Sequence, residues 1–265
     1  MGIFRNPKVA MVLGGGSARG LCNIGVLKVM EKYFGRDKMP FDIIVGTSIG
    51  SLIGAAYALG VTPKEMEEKS LKFSLVKLVD IGMHPTGLIK GDRLEEIIRS
   101  VIGNRGFEDM KYPFALTTTD IETGEELTHT SGNLIKLIRA SCSWPAIFSS
   151  VKIEGRLLAD GGVRNSIPTK AARNMGANFL IAVNPGFAVK NQKINSLMQV
   201  TVQMVQIMGE ELNNYQSSAA NIVIKPELKD IEQFDFEKTA EIIKQGEEAA
   251  ERVMPKLKRK LFFHW

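Results

Sequence analysis

The first residue type that suggests chemistry is a serine, Ser48, between two glycines in GTSIG, residues 46–50. The stretch matches G-x-S-x-G, in which a serine at a sharp strand-to-helix turn presents its hydroxyl as a nucleophile. An apolar run at 41–45 precedes it, and a run of small residues suited to a helix follows it. Because so short a pattern is common, a Gly-Ser turn that only caps a helix is the alternative interpretation.

A second candidate is the loop GGGSARG, residues 14–20, which follows a predicted strand and opens a predicted helix. Consecutive glycines let backbone N–H groups converge, and a helix N-terminus adds a favourable dipole, so the loop suits an anion or a developing oxyanion. A dinucleotide-binding loop is the competing interpretation. It fits poorly, because no register gives G-x-G-x-x-G and the next strand ends without an acid for the ribose.

The third candidate is an aspartate followed by two glycines, DGG at 160–162. Alone, this pattern is usually a plain turn. At the carboxyl edge of one sheet, however, Asp160 would meet Ser48 and the glycine loop. The three would then supply a base, a nucleophile and oxyanion donors, which are the roles that acyl transfer requires.

The chain has only three histidines, His84, His129 and His264. A catalytic triad needs a histidine at a fixed position in the site. His129 falls in a predicted exposed hairpin strand, His84 in an irregular segment and His264 next to the last residue, so the sequence favours surface or structural roles for all three.

Short apolar runs alternate with helical patterns along the chain and must position these groups. Nearly all-apolar strands between helices predict an α/β domain with a mostly parallel sheet covered on both faces, in one unit over residues 1–265. The predicted strands are 9–13, 41–45, 114–120, 156–159, 179–183 and 222–224. The predicted helices are 20–33, 49–59, 63–70, 91–101, 133–141, 169–175, 194–216 and 236–254.

Three segments have open roles. The pattern of residues 71–90 predicts a loop or partly helical flap. This flap would either contact an acyl chain or simply cover the core. The basic and aromatic tail at 255–265 predicts either contact with an anionic membrane or a final helix docked on the domain, and we favour the docked helix. The methionines of 194–216 predict flexible packing against the sheet, with lipid or dimer contact as the alternative.

Composition narrows the function classes only modestly. No run of 18 apolar residues and no leader-like N-terminus is present, so we expect a cytoplasmic protein with peripheral contact at the inner membrane surface as a further option. The net charge of +5 slightly favours anionic partners. Two distant cysteines, Cys22 and Cys142, predict core residues, and we expect no metal and no cofactor.

Taken together, these motifs resemble the patatin-like phospholipase family. The similarity runs through the glycine loop, GTSIG, GLIKGDRLEEII (87–98), TTTDIETGEE (117–126), ASCSWPAIF (140–148) and DGG, and extends weakly into ANIVIKPEL (220–228). The resemblance implies a three-layer α/β/α fold with a Ser48–Asp160 dyad, in which the aspartate accepts the serine proton directly.

The resemblance also implies roles for the remaining motif residues. The oxyanion hole would comprise Gly14, Gly15, Gly16 and Arg19, where Arg19 acts by charge or holds the loop by bonding carbonyls. Gly46, Gly50, Gly161 and Gly162 would support the two catalytic turns. This loop is one residue longer than the plant form G-G-G-x-R-G.

The implied activity is lipid acyl hydrolysis of the phospholipase A, lysophospholipase or carboxylesterase type, through an acyl-enzyme and on an acyl-ester lipid. A non-catalytic or regulatory member that binds an acyl lipid or a partner is the alternative. We expect no nucleic-acid partner, and the sequence leaves the lipid and the oligomeric state open.

Overall fold

A computed structural model describes residues 8–74, 81–84, 86–189 and 193–262, and side chains of 81–84 are not included. Residues 1–7 lie outside the described residues. The predicted flap at 71–90 and tail at 255–265 lie partly outside them.

Strands and helices alternate along the described chain. The strands are β1 (Val9–Leu13), β2 (Ile43–Thr47), β3 (Ile81–His84), β4 (Gly87–Ile89), β5 (Phe114–Asp120), β6 (Glu126–His129), β7 (Val151–Ile153), β8 (Arg156–Asp160), β9 (Phe179–Val183) and β10 (Ile222–Ile224). The helices are α1 (Cys22–Phe34), α2 (Ile49–Ala58), α3 (Pro63–Leu71), α4 (Asp92–Ile102), α5 (Leu134–Ser141), α6 (Gly162–Asn165), α7 (Thr169–Asn174), α8 (Leu197–Ser218) and α9 (Thr239–Phe262).

The main sheet has the strand order β10-β9-β1-β2-β5-β8-β7, with β6 also paired to β5. The pairs from β10 to β5 are parallel, whereas β6, β7 and β8 pair antiparallel. Helices bury both faces, as strand β1 illustrates: Met11 and Leu13 join one core while Ala10 and Val12 join the other. The predicted three-layer α/β/α fold with a mostly parallel sheet is confirmed.

The antiparallel strand β8 changes how Asp160 reaches the site. The sequence predicts Asp160 at the carboxyl edge of the sheet, where the parallel strands end. Instead β5 continues past the end of β2, and β8 runs back along it, so that Asp160 pairs with Thr118 while Thr47 pairs with Thr117. The aspartate therefore arrives beside the end of β2 from the opposite direction.

The flap prediction was wrong in its secondary structure, because β3 and β4 form an antiparallel hairpin. Ile89 of this hairpin bridges to Phe148, and the Cα of Gly87 lies so close to that segment that a Cβ there would be 2.5 Å from the Phe148 carbonyl carbon. Alternating glycine and apolar residues hid the strand pattern, since Gly and Pro normally indicate loops.

Helix α9 continues eight residues beyond the predicted end, through Pro255. Leu257 and Leu261 are buried, which is the docked arrangement favoured from the sequence, while Phe262 is exposed. Among the described helices, none is both long enough and apolar enough to cross a bilayer.

Candidate active site

Ser48 lies at the turn between β2 and α2 in a strained conformation, with φ 54° and ψ −130°. Positive φ is costly for a residue with a side chain and is maintained where the surroundings enforce it. The flanking glycines are required by close backbone contacts. A Cβ on Gly46 would lie 2.3 Å from the carbonyl oxygen of Gly50, and one on Gly50 would lie 2.2 Å from that of Leu13.

The Ser48 hydroxyl donates a hydrogen bond of 2.7 Å to Oδ2 of Asp160. Both residues are buried. The other carboxylate oxygen, Oδ1, accepts the N–H of Gly162 at 2.7 Å. Gly161 lets this turn pack closely, because a Cβ there would lie 2.5 Å from the carbonyl oxygen of Thr117. The sequence-predicted serine and aspartate are therefore in direct contact.

Burial raises the pKa of Asp160 to about 7, although the hydrogen bonds from Ser48 and Gly162 lower it. Desolvation penalises the charged carboxylate more than two donors stabilise it. A carboxylate with so high a pKa is a stronger base than an ordinary aspartate, and its pKa lies near neutral pH, where general-base catalysis is most effective.

Two serines that sequence reasoning assigned no role hold the pair in place. Ser141 Oγ accepts the Ser48 N–H at 2.8 Å and donates to the Thr117 carbonyl at the same distance. The N–H of Asp160 donates to the carbonyl of Ser143 at 3.0 Å. Both serines belong to the ASCSWPAIF stretch, which carried the family resemblance but gave no indication of these contacts.

The glycine loop lies beside Ser48, but its N–H groups are not equivalent. Gly14 donates to the Val183 carbonyl at 3.2 Å, and Gly15 donates to the Ser166 carbonyl at 2.9 Å. Gly16 has φ 147°, and within the described residues its N–H has no hydrogen-bond partner. The N–H of Gly16 is thus available to a bound group.

The guanidinium of Arg19 is buried and bonded to backbone carbonyls. Nε donates to Pro185 and Gly186 at 3.2 and 3.1 Å, Nη2 to Pro185 at 3.0 Å, and Nη1 to Ile231 at 2.5 Å. Burial lowers the pKa of this arginine from its ordinary value. These contacts are those of the loop-holding role, the second of the two that the sequence left open.

Ser48 lines two openings of different size. A small cleft of about 10 Å³ adjoins the glycine loop and Asp160, and its other walls include Trp144, Phe187 and Val205. A larger cavity of about 340 Å³ also adjoins Ser48. Its wall is mainly apolar and includes Leu21, Leu52, Leu94, Ile97, Cys142, Phe148 and Phe236.

The two cysteines differ from one another. Cys22 is buried in the core as predicted, whereas Cys142 is only partly buried and lines the large cavity. Burial raises the pKa of both thiols, and the charge of Asp160 raises that of Cys142 further. Both therefore stay protonated and poorly nucleophilic near neutral pH.

His129 Nε2 lies 2.7 Å from Thr118 Oγ1, and among the described contacts no hydrogen bond joins it to Ser48. The side chain of His84 and all of His264 lie outside the described residues. Within the described part of the chain, no group of His, Cys, Asp or Glu side chains is arranged to hold a metal ion.

Comparison with known proteins gives a family match. The model of the patatin-like phospholipase family matches residues 11–173, which is more than half of the chain. The chain is 36% identical over 192 residues to patatin-like phospholipase domain-containing protein 6 of Homo sapiens, covering 69% of this chain and 14% of that protein. It is 30% identical over 183 residues to an uncharacterized NTE family protein of Mycobacterium bovis, covering 68% of this chain and 49% of that one. The chain therefore spans half or less of these relatives.

Solved structures show a similar fold at low sequence identity. VipD from Legionella pneumophila superposes with a TM-score of 0.65 at 11% identity, covering 95% of this chain and 67% of VipD. ExoU from Pseudomonas aeruginosa, solved with SpcU, gives a TM-score of 0.52 at 16% identity over 97% of this chain and 53% of ExoU. At such identities the likeness concerns the fold alone.

Proposed function

Because the chain belongs to the patatin-like phospholipase family, we propose that it is a serine lipid acyl hydrolase acting through a Ser48–Asp160 dyad. The observation that carries the proposal is the 2.7 Å hydrogen bond from the Ser48 hydroxyl to the buried carboxylate of Asp160. It joins a nucleophile to a base whose pKa is raised toward neutrality by burial.

In the proposed first step, Ser48 Oγ attacks the ester carbonyl carbon while Asp160 takes the hydroxyl proton. The carbonyl oxygen becomes an oxyanion, which needs donors already in place. When the tetrahedral intermediate collapses, the alcohol leaves with the proton from Asp160 and the acyl group stays on Ser48. Water then attacks the acyl-enzyme and gives a proton to Asp160, which returns it to Ser48 Oγ as the bond to the acyl carbon breaks and the fatty acid is released.

The oxyanion hole centres on the N–H of Gly16. The N–H groups of Gly14 and Gly15 donate to carbonyls and so shape the loop. The contacts of the Arg19 guanidinium with backbone carbonyls hold the loop in position. One such donor typically lowers the reaction barrier by ~3–4 kcal/mol. Closure around substrate can bring a second donor into line, since catalytic hydrogen bonds often tighten only in the complex.

The large apolar cavity supports a long acyl chain as the group transferred. It adjoins Ser48 and is lined mostly by aliphatic and aromatic side chains. Each methylene group of an acyl chain that moves from water into this cavity would stabilise the complex by ~0.8 kcal/mol. The smaller cleft also adjoins Ser48 and includes Gly16, the residue whose N–H we assign to the developing oxyanion. A cytoplasmic location with peripheral contact at the inner membrane surface is part of this proposal.

The regulatory alternative, in which the site binds an acyl group without turnover, accounts for the cavity but not for the dyad. A binding protein does not require a strained serine against a desolvated base, because both features cost stability. We therefore retain the hydrolase as the proposed function.

The proposal is tested by incubating the protein with a panel of defined phospholipids, lysophospholipids and glycerides and measuring the fatty acid released. Wild type should release fatty acid from at least one lipid class, and Ser48→Ala should release none. Equal release by wild type and Ser48→Ala, or no release by wild type on any lipid or on p-nitrophenyl butyrate, would refute it.

A further inference from the structure

Helix α8 has an inverted distribution of polar and apolar side chains. Its buried residues are Gln206, Gly209, Asn213 and Ser217. Five large apolar residues are exposed between positions 197 and 208, and we call them the α8 outer face: Leu197, Val200, Met204, Ile207 and Met208. The prediction that the methionines of this segment pack against the sheet is wrong for Met204 and Met208.

The spacing of the α8 outer face makes it one continuous surface. Its residues recur at intervals of three and four positions, which places them on one side of a helix. Burial of apolar groups is the main favourable term in folding, so a helix that only covers a core turns this side inward. A contiguous exposed apolar patch on a folded domain usually marks an interaction site.

The α8 outer face belongs to a helix that borders the small cleft beside Ser48 and Asp160, which we call the catalytic cleft. Val205 of α8 lines that cleft together with Phe187 and Ser48. The helix is fixed there by polar contacts on its inner side, such as the Phe187 N–H to Glu210 Oε2 at 2.9 Å and Asn213 Nδ2 to Asn184 Oδ1 at 3.3 Å. Whatever covers the outer face is therefore adjacent to the cleft.

From this placement we propose that the α8 outer face docks on the surface of a phospholipid bilayer and brings the catalytic cleft to its substrate. The proposal rests on the proposed function, because a lipid substrate resides in such a surface. Ile194, which is also exposed, comes three residues before α8 in sequence, and its neighbour Lys193 is exposed as well. Apolar side chains with an adjacent cation suit the interface of an anionic membrane.

A second copy of the chain is the competing occupant. A second copy bound to the α8 outer face would lie against the helix that borders the cleft, and it would hinder a bulky lipid from reaching Ser48. A bilayer at the same place would present the substrate itself. Continuity between the outer face and the cleft thus favours the lipid surface.

The basic C-terminal segment lies near the last residues of α8, away from Leu197 at the start of the α8 outer face. Helix α9 begins just after Phe236, which lines the large cavity. Near its other end, Lys260 Nζ donates to the carbonyl of Asn221, the residue before β10, at 2.8 Å. At 24 residues, α9 is ~36 Å long. Phe262 is 79% exposed there, close to the 82% of Leu197, and is a matched control position.

The test compares Leu197→Gln/Met204→Gln with Phe262→Gln and wild type. Binding is measured by co-sedimentation with vesicles of phosphatidylcholine and phosphatidylglycerol, and catalysis by fatty acid release from those vesicles and by hydrolysis of monomeric p-nitrophenyl butyrate. The α8 double variant should bind vesicles ~tenfold or more weakly and release fatty acid correspondingly more slowly. Its hydrolysis of the soluble ester should be unchanged, and Phe262→Gln should match wild type in all three assays.

Unchanged vesicle binding by the α8 double variant, or an equal loss in Phe262→Gln, would overturn the proposal. Conversion of a wild-type dimer to a monomer in sedimentation velocity, with vesicle binding intact, would also overturn it and assign the face to self-association. Failure of the proposed function would appear differently, as a wild-type protein that binds vesicles through α8 but hydrolyses neither the lipids nor the soluble ester.

Discussion

The hydroxyl of Ser48 and the carboxylate of Asp160 lie 2.7 Å apart although 112 positions separate them in sequence. Each residue lies at a turn that only its glycine neighbours permit. The serine is bonded to Ser141 at the end of α5, and the aspartate is bonded to the Ser143 carbonyl just after that helix. The contact is thus fixed from both sides by backbone.

The pH dependence of hydrolysis should follow the ionisation of Asp160. Burial raises its pKa to about 7, and the group acts as a base only when deprotonated. We expect kcat/KM for a soluble ester to rise ~tenfold per pH unit below about pH 7 and to level off above it. Initial rates across this range measure the profile. A flat profile from about pH 5 to 8 would show that Asp160 does not ionise in the active range.

The raised pKa of Asp160 should also make the free energy of unfolding fall as pH rises. The pKa of this carboxyl is raised on folding from 3.8 to about 7, so between these values the folded state binds a proton that the unfolded chain has lost. The free energy of unfolding then falls by ~1.4 kcal/mol per pH unit from this group. Asp160→Asn lacks this contribution.

The free energy of unfolding of Asp160→Asn, relative to that of wild type, should therefore increase between about pH 4 and 7 and stay constant above about pH 7. Urea denaturation at several pH values measures the difference. A difference that does not change with pH would contradict the raised pKa.

Replacing Arg19 should affect stability more directly than chemistry. Arg19→Met keeps much of the side-chain volume but leaves the carbonyls of Pro185, Gly186 and Ile231 without their donor. We expect the free energy of unfolding to fall by roughly 2–4 kcal/mol, measured by urea denaturation, with the exposed Arg164→Met as control. Unchanged stability together with lost turnover would instead indicate that the charge of Arg19 acts on the reaction.

Narrowing the large cavity should change chain-length preference. Ile97 lines it and is partly buried, whereas its neighbour Glu96 faces solvent. Ile97→Trp should lower kcat/KM for a palmitoyl ester by ~tenfold while leaving a butyryl ester unchanged, and Glu96→Trp should alter neither. Equal loss on both esters would mean that the acyl chain lies elsewhere.

The sequence predicted most of the sheet, because fully apolar strands have a distinctive pattern. The strands β1, β5, β9 and β10 have the predicted bounds. It did not predict the direction of β8, since pairing between distant strands leaves no local pattern. Nor did it predict Ser141, because a serine that holds a backbone N–H looks like any other small polar residue.

Helix α8 shows a different limit of sequence reasoning. A helical pattern of apolar residues indicates which residues share a face but not whether that face meets the core or the surroundings. Here the inner side is held by Gln206 and Asn213, so the apolar face is turned outward. Only the packing of the helix across the cleft reveals this.

The most direct test of the account is the site of covalent labelling by a fluorophosphonate, located by mass spectrometry. The probe reacts with an activated serine as fluoride leaves, so wild type should carry one label, on Ser48. Ser48→Ala should not be labelled, and Asp160→Asn should be labelled far more slowly while remaining folded. Labelling of Ser48→Ala at the wild-type rate, or an undiminished rate in Asp160→Asn, would contradict a nucleophile activated by that aspartate.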